Sequence, residues 1–186
     1  MSKPVWMFTA TALLLSGCGG APAGGGNAAA PEATPAASTA AAASDFDATN
    51  ACAILPADKV TAVTGLKVDS ANLGTVVEPG EGTAGFSTCN YSFAGGGTLA
   101  FFARQSPVDD NTPEAIARTR KELTDNMGAT IVDVPGLGTA AFSAEQMHQL
   151  HVFFAGNRYI YFMSPAPPAG KPIGEAELAL AKAVIG

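Results

Sequence analysis

The sequence predicts an α+β domain: a mainly antiparallel sheet with two to three helices on one face. The first observation is a pair of hairpin signals, in which glycine-containing turns at 94–97 and 155–157 separate apolar and aromatic runs. The second is the order of the periodicities, because segments with helical spacing alternate with groups of strand-like segments. Short hairpin connections favour antiparallel neighbours and leave the helices to one face. The order helix, strands, helix, strands, helix also suggests a duplicated helix-plus-strands unit.

The first predicted helix covers 54–65. Pro56 suits the first helical position, where its missing N–H has no intrahelical partner to lose, and Gly65 can end the helix. A short strand at 66–68 follows, and the glycine-containing stretch that continues to Gly85 is predicted to be a loop. The apolar stripe of this helix consists of Leu55, Val60 and Val63.

Strands are predicted at 87–93 and 98–105, and the clearest helix of the sequence follows them. Thr112 is a good N-cap, Pro113 fits the first helical position, and Gly128 can end the helix. The apolar residues at helical spacing in this segment are Ile116, Leu123 and Met127.

Further strands and a closing helix complete the predicted domain. The strands are expected at 130–134, 139–144, 149–154 and 158–164. A Pro-rich connection at 165–172 then leads to a helix at 174–185. The expected buried stripe of that helix is Leu178, Ala181, Val184 and Ile185.

The N-terminal residues are typical of an export signal. Lys3 precedes an apolar stretch at 5–15, which is shorter than the roughly 20 residues that a membrane-spanning helix needs. The segment Leu15-Ser16-Gly17-Cys18 resembles the lipobox of bacterial lipoproteins, which implies cleavage before Cys18 and acylation of that residue. The alternative is an ordinary signal peptide with an incidental cysteine. In a Gram-negative cell, Gly19 after the lipidated cysteine would favour the outer membrane.

Composition divides the chain into parts with different expected roles. Residues 1–17 form the predicted signal peptide. Residues 18–44 hold the lipidated cysteine and a tether of mainly Ala, Gly, Pro, Ser and Thr, which cannot bury enough apolar surface to fold. Residues 45–186 have the length of a single globular domain. The expected location is the bacterial cell envelope, outside the cytoplasm, with acylated Cys18 as the contact with the membrane.

The charge pattern excludes one class of partner. The formal net charge is −6, and the basic residues of the second predicted helix alternate with acidic ones. Binding to nucleic acid needs a concentrated positive surface. Nucleic acid is therefore not an expected partner.

The chain contains three cysteines, and an odd number leaves one cysteine unpaired in an exported protein unless Cys18 carries the lipid. Cys52 and Cys89 then form an even pair in an oxidising compartment, which predicts a disulfide. Two free thiols or a metal site are the alternatives, although the pair lacks the spacing of zinc ligands.

Short motifs mark residues 50–186. They are Cys52-Ala53-Ile54-Leu55 with Asp58-Lys59-Val60 and Gly65, then Cys89-Asn90-Tyr91, then Gly136-Leu137-Gly138-Thr139-Ala140-Ala141. This set resembles a group of small bacterial lipoproteins of unknown function, in which a leucine stands at the position of Ile54. The resemblance implies a secreted α+β domain with a cysteine pair, and it supplies no activity and no catalytic residues.

Both histidines lie in one segment, together with Glu145. On a helix, Glu145, His148 and His151 would share a face and could bind a metal ion. The residue types at 149–154 favour a strand, in which residues three apart point to opposite faces of the sheet. No metal or other cofactor is therefore expected, and these residues are weak candidates.

A candidate ligand surface lies on the last predicted strand. Alternation sends Tyr159 and Tyr161 to one face of the sheet and the intervening apolar residues to the other. If helices cover the apolar face, the tyrosines with Arg158 or Arg104 nearby form a half-open surface for a ligand or partner. The alternative is an ordinary amphipathic outer face, on which tyrosine is common.

The expected function is that of a lipid-anchored, non-enzymatic module of the cell envelope, which binds an envelope protein or a small ligand or acts as an accessory. No Gly-x-Ser-x-Gly motif is present, and a pairing of Cys52 with Cys89 leaves no thiol as a nucleophile in the folded part. The alternative is a metal-using or hydrolytic envelope enzyme built around His148 and His151.

Overall fold

The computed structural model describes residues 46–166 and 173–185, and it confirms the α+β prediction. The predicted signal peptide, Cys18 and the tether lie outside the described residues. The strands are β1 Val68–Val77, β2 Gly85–Phe93, β3 Thr98–Gln105, β4 Ile131–Asp133, β5 Ala140–Ala144, β6 Gln149–Phe154 and β7 Arg158–Ala166. The helices are α1 Ala51–Ile54, α2 Ala57–Thr64, α3 Pro113–Met127 and α4 Ile173–Ile185, with a 3-10 turn at Glu145–Met147.

All seven strands belong to one antiparallel sheet with the order β1-β2-β3-β7-β6-β5-β4. Two meanders build it, one of three strands and one of four, and each begins at an edge and runs to the centre. The pairing of β3 with β7 joins them. The predicted helix-plus-strands order is therefore present twice, but α2 and α3 pack on opposite faces of the sheet.

The inner face of the sheet is the side that α1, α2 and α4 cover. Every second residue of the central strands points into this layer, because side chains alternate along a strand. Helix α4 packs against α2 and β6, and its Leu180 and Ala181 are buried. The largest fully buried apolar side chains of this core are Leu55, Val60, Tyr91, Phe101, Val152, Ile160, Phe162 and Leu180.

The outer face, on the opposite side of the sheet, is covered in part by α3. Leu123 of this helix is buried against Phe142 and Phe153, and Ile116 packs on the same cluster. The apolar stripe of α3 is narrow, so the helix covers the β5–β6 side of the sheet and leaves residues of β2 and β3 partly exposed. Helices α1, α2 and α4 thus lie on one face, whereas α3, which was expected on that same face, lies on the other.

The segment after the first helices differs from its prediction. Residues 69–77 were expected to be a loop, and they form most of β1, which pairs with β2 from Val68 to Val77. Irregularities in register accommodate the residues that do not fit a regular ladder. Pairing with a well-formed neighbour overrides the weak strand preference of Asp69, Asn72 and Gly74 in this segment.

The first predicted helix is split in two. Asn50 caps α1 by accepting a hydrogen bond from the Ala53 N–H at 3.2 Å. Leu55 then leaves the helical region, because the residue before a proline is driven towards extended conformations. Pro56 consequently serves as the N-cap of α2 and not as its first residue.

Two residues of the predicted buried stripes are exposed. Met127 is 60% exposed and Ile185 is 46% exposed. Each is the last residue of its helix, beyond the turns that contact the sheet. Leu180, which the predicted stripe omitted, is buried beside the predicted Ala181.

Three successive inner-face residues of β2 attach α1 to the sheet. The Ser87 hydroxyl accepts from the Ala51 N–H and donates to the Ala48 carbonyl, both at 2.8 Å. Cys89 forms a disulfide with Cys52, with a Cα–Cα distance of 5.0 Å. The Tyr91 hydroxyl donates to the Leu55 carbonyl within the core.

Replacing both Cys52 and Cys89 with alanine should lower the free energy of unfolding by up to about 4 kcal/mol. The disulfide spans 37 positions, and removing it returns loop entropy to the unfolded chain. Urea unfolding of the variant, with the reduced wild type as a control, measures the loss. Equal stability of the variant and the oxidised wild type would contradict this role.

Candidate functional site

A row of aromatic rings crosses the outer face. Phe102, Tyr161, His151 and Phe142 lie directly opposite one another on β3, β7, β6 and β5. Their ring centroids are separated by 4.9, 5.6 and 4.7 Å in that order, each in a stacked arrangement. We call these residues the aromatic row. Phe86 of β2 extends it, with its ring 5.4 Å from that of Phe102.

His151 is the polar centre of the aromatic row. Its Nδ1 lies 2.6 Å from the Tyr159 hydroxyl, and its Nε2 lies 3.0 Å from Oε1 of Gln149. Burial lowers the pKa of His151 to about 4, since the imidazolium would lose its water. The ring is therefore neutral at pH 7, and both of its nitrogens are engaged.

Helix α3 covers one end of the aromatic row. The guanidinium of Arg120 lies 4.6 Å above the centre of the Phe142 ring, and it also forms an ion pair with Asp133 of β4. On the other side of α3, the rings of Phe153 and Tyr159 stack with centroids 4.7 Å apart. Phe102 and Tyr161 are only half-buried, so the row is closed at one end and open at the other.

Arg104 lies opposite Tyr159 in the register of β3 and β7. Its guanidinium forms an ion pair with Asp110. Burial raises the pKa of the Tyr159 hydroxyl, Tyr161 raises it further, and the positive charge of Arg104 opposes the change. Arg104 and Tyr159 line the same cavity, of about 360 Å³, between α3 and the sheet. We call it the helix–sheet cavity. Its other lining residues are Asp110, Asn111, Ala115, Arg118, Thr119, Glu122 and Phe153.

The candidate ligand residues thus divide between the two faces. Tyr159, Tyr161 and Arg104 share the outer face. Arg158 lies on the inner side, where its guanidinium is 5.5 Å from the centre of the Phe46 ring and its Nε donates to the Ala155 carbonyl. Of the two arginines proposed to lie near the tyrosines, the structure therefore brings only Arg104 to them.

A second cavity, of about 570 Å³, lies at the other flank of α3, near the β6–β7 turn. Its lining is mainly apolar and includes Ile116, Ala140 and Phe154. Asn111 lines both this cavity and the helix–sheet cavity, and its side-chain amide donates to the carbonyls of Phe154 and Arg158. Helix α3 therefore stands between two cavities on the outer face.

Several residues of the helix–sheet cavity were absent from the sequence-based candidates. Asp110 follows β3 in a connecting segment, and Arg118 and Glu122 are one turn apart on α3. In the sequence these residues look like ordinary charges of a loop and a solvated helix. Only the position of α3 on the outer face brings them to Arg104 and Tyr159, and no local signal encodes that position.

The three weak candidates for metal ligands, Glu145, His148 and His151, do not lie at one site. Glu145 and His148 line a cavity of about 290 Å³ together with Glu177 of α4, whereas His151 points to the outer face. His148 ends the 3-10 turn with a φ of 52°, and β6 begins at the next residue. Within residues 46–166 and 173–185, no group of three or more His, Cys, Asp or Glu side chains is arranged to hold a metal ion.

Glu177 is a buried acidic residue at this cavity, and its pKa is raised. Its side chain is 4% exposed, and its Oε1 accepts a hydrogen bond from the Ser164 hydroxyl at 2.8 Å. Burial raises the pKa of Glu177 to about 7, and the Ser164 hydrogen bond opposes the change. The other titratable residues that line its cavity are Glu145 and His148.

Comparisons with known proteins found no match, so the function is inferred from the geometry of the site. No protein-family model matches the chain, and no curated protein or solved structure matches it. In the described part of the chain, no helix has the length and apolar character needed to cross a bilayer.

Replacing Glu177 with Gln should stabilise the protein at high pH and leave it almost unchanged at low pH. Because the folded state raises the pKa of Glu177 from 4.5 to about 7, its protonated form is favoured by folding. The contribution is fully present below pH 4.5 and is lost as the pH rises through 7, which amounts to about 3 kcal/mol at pH 8.

Urea unfolding at pH 4, 6 and 8 measures this difference between wild type and Glu177→Gln. The opposite effect of His151, whose lowered pKa removes stability as the pH falls from 6.5 towards 4, is common to both proteins and cancels. Glu175→Gln, on an exposed position of the same helix, is the matched control. A difference that does not change with pH would show that Glu177 does not titrate in this range.

Proposed function

We propose that the protein is a lipid-anchored, non-enzymatic binding module of the cell envelope, and that its outer face holds the ligand. The observation that carries this proposal is the helix–sheet cavity, which places Arg104 and Tyr159 beside the half-open aromatic row. An apolar floor with a few convergent polar groups is the usual form of a small-molecule site.

Binding is favoured over catalysis by the state of the polar groups at the outer face. The Tyr159 hydroxyl has a raised pKa, so it stays protonated, and it contacts Nδ1 of His151. His151 is buried, and each of its ring nitrogens has a partner within the protein. A general base must reach the proton that it removes, and this imidazole faces other side chains.

The alternative, an enzyme built around His148 and His151, requires both imidazoles at one site. His148 lies at the cavity of Glu177, and His151 lies in the aromatic row on the opposite face of the sheet. The sheet itself separates them. We therefore prefer the binding function.

The proposed anchor is acylated Cys18, joined to the domain by the tether up to residue 44. Several acyl chains on one residue hold a protein stably on a membrane. The proposed location is the outer membrane if the cell is Gram-negative.

Replacing Cys18 with serine should remove the acyl chains that hold the protein in the membrane fraction. The intact mass of the wild type, extracted from its own membranes, should show cleavage before Cys18 and the added acyl chains. The serine variant should lack these chains and remain unprocessed. Wild-type protein without acylation would contradict the anchor.

Replacing Arg104 with Gln should weaken binding of a small molecule that co-purifies with the full-length protein. Native mass spectrometry of protein extracted in mild detergent compares the bound mass in the two proteins. Arg158→Gln removes the same charge from the inner side and is the matched control. A wild type without bound mass, or equal bound mass in wild type and Arg104→Gln, would contradict binding at the outer face.

A further inference from the structure

The charges of the helix–sheet cavity indicate which ligand it suits, an inference that rests on the proposed binding function. The cavity is small, about 360 Å³, near the lower limit for small-molecule sites. Its walls come from β3, the segment before α3, and α3 itself, and its floor comes from β6 and β7.

One wall of the cavity contains an acceptor without a donor. Oδ2 of Asp110 forms the ion pair with Arg104, while Oδ1 is buried and has no hydrogen-bond partner among the described residues. A buried carboxylate oxygen without a donor is costly, and structures rarely leave such a group unsatisfied. The Asp110 carboxylate therefore has unused acceptor capacity at the cavity wall, which suits a ligand that carries N–H donors.

The wall formed by α3 provides one unpaired charge of each sign. Arg118 and Glu122 both line the cavity, and neither forms an ion pair with another described residue. Arg120, Lys121 and Asp125 of α3 differ in this respect, since Arg120 pairs with Asp133 and Lys121 pairs with Asp125. The cavity therefore offers a free guanidinium for an anionic group and a free carboxylate for a cationic one.

The floor is apolar and aromatic. It consists of the stacked rings of Phe153 and Tyr159, and Ala115 of α3 lies at the same cavity. Such a floor suits an apolar or aromatic side chain of the ligand. It does not suit a ligand that consists of charged groups alone.

We propose that the helix–sheet cavity binds a small zwitterion of the amino-acid class. The ligand ammonium is directed at the carboxylates of Asp110 and Glu122, which both line the cavity. The ligand carboxylate is paired with the guanidinium of Arg118, and the ligand side chain packs on Phe153 and Tyr159. Arg104 positions Asp110 through their ion pair and does not itself carry the ligand charge.

The test is calorimetric titration of the full-length protein with L-phenylalanine and two analogues. N-acetyl-L-phenylalanine lacks the ammonium group, and L-phenylalaninamide lacks the carboxylate. We expect each analogue to bind at least about 10-fold more weakly than the amino acid, because each loses one charge-assisted interaction. Equal affinities for the three probes, or no binding of L-phenylalanine, would overturn the proposal.

A variant of Arg118 identifies the group that holds the carboxylate. Arg118→Gln should weaken the binding of L-phenylalanine about 10-fold and leave the binding of L-phenylalaninamide unchanged. Lys121→Gln, on the same helix and outside the cavity, is the control and should bind both probes like the wild type. Equal losses for both probes in Arg118→Gln would overturn the assignment of Arg118.

This test is distinguishable from that of the proposed function. If L-phenylalanine does not bind but Arg104→Gln still loses a co-purifying mass, the ligand class is wrong and the binding module stands. If neither binding is observed, both proposals fail.

Discussion

The pairing of β3 with β7 is the contact on which the rest of the domain depends. Within the described residues it joins the two meanders into one sheet, although the paired residues are more than 50 positions apart in the chain. Its register places Phe101 opposite Phe162 in the inner core and Arg104 opposite Tyr159 at the outer face. A shift of one residue would move every side chain of one strand to the other face, so both the core and the cavity would be lost together.

The two faces of the sheet are stabilised in different ways. The inner face has three helices, a disulfide and a continuous set of fully buried apolar side chains. The outer face has one helix, which contacts the sheet through a small cluster around Leu123, Phe142 and Phe153. A single helix with a narrow apolar stripe leaves space at both flanks, and the two cavities on this face lie there. Three helices support the sheet at its inner face, and one helix covers only part of its outer face. This arrangement suits the binding of a ligand at the outer face.

Local signals in the sequence predict most of the individual elements. The strands at 98–105 and 149–154 begin and end where they were expected, because alternating apolar residues and short turns encode them locally. Thr112 and Gly128 likewise cap α3 at the predicted positions. Strand β1 was missed because Asp69, Asn72 and Gly74 lower its local strand preference, and its pairing with β2 overrides that preference.

The sequence by itself determined the fold class, most element boundaries, and the alternation that separates Tyr159 from Ile160. Only the tertiary structure decided that α3 packs on the outer face, and that Arg104 lies near the tyrosines while Arg158 does not. It also decided that Asp110, Arg118 and Glu122 share a cavity. The physical reason is the distance along the sequence over which each feature is determined. Caps, turns and alternation depend on neighbouring residues, whereas a cavity depends on which face of the sheet a helix covers.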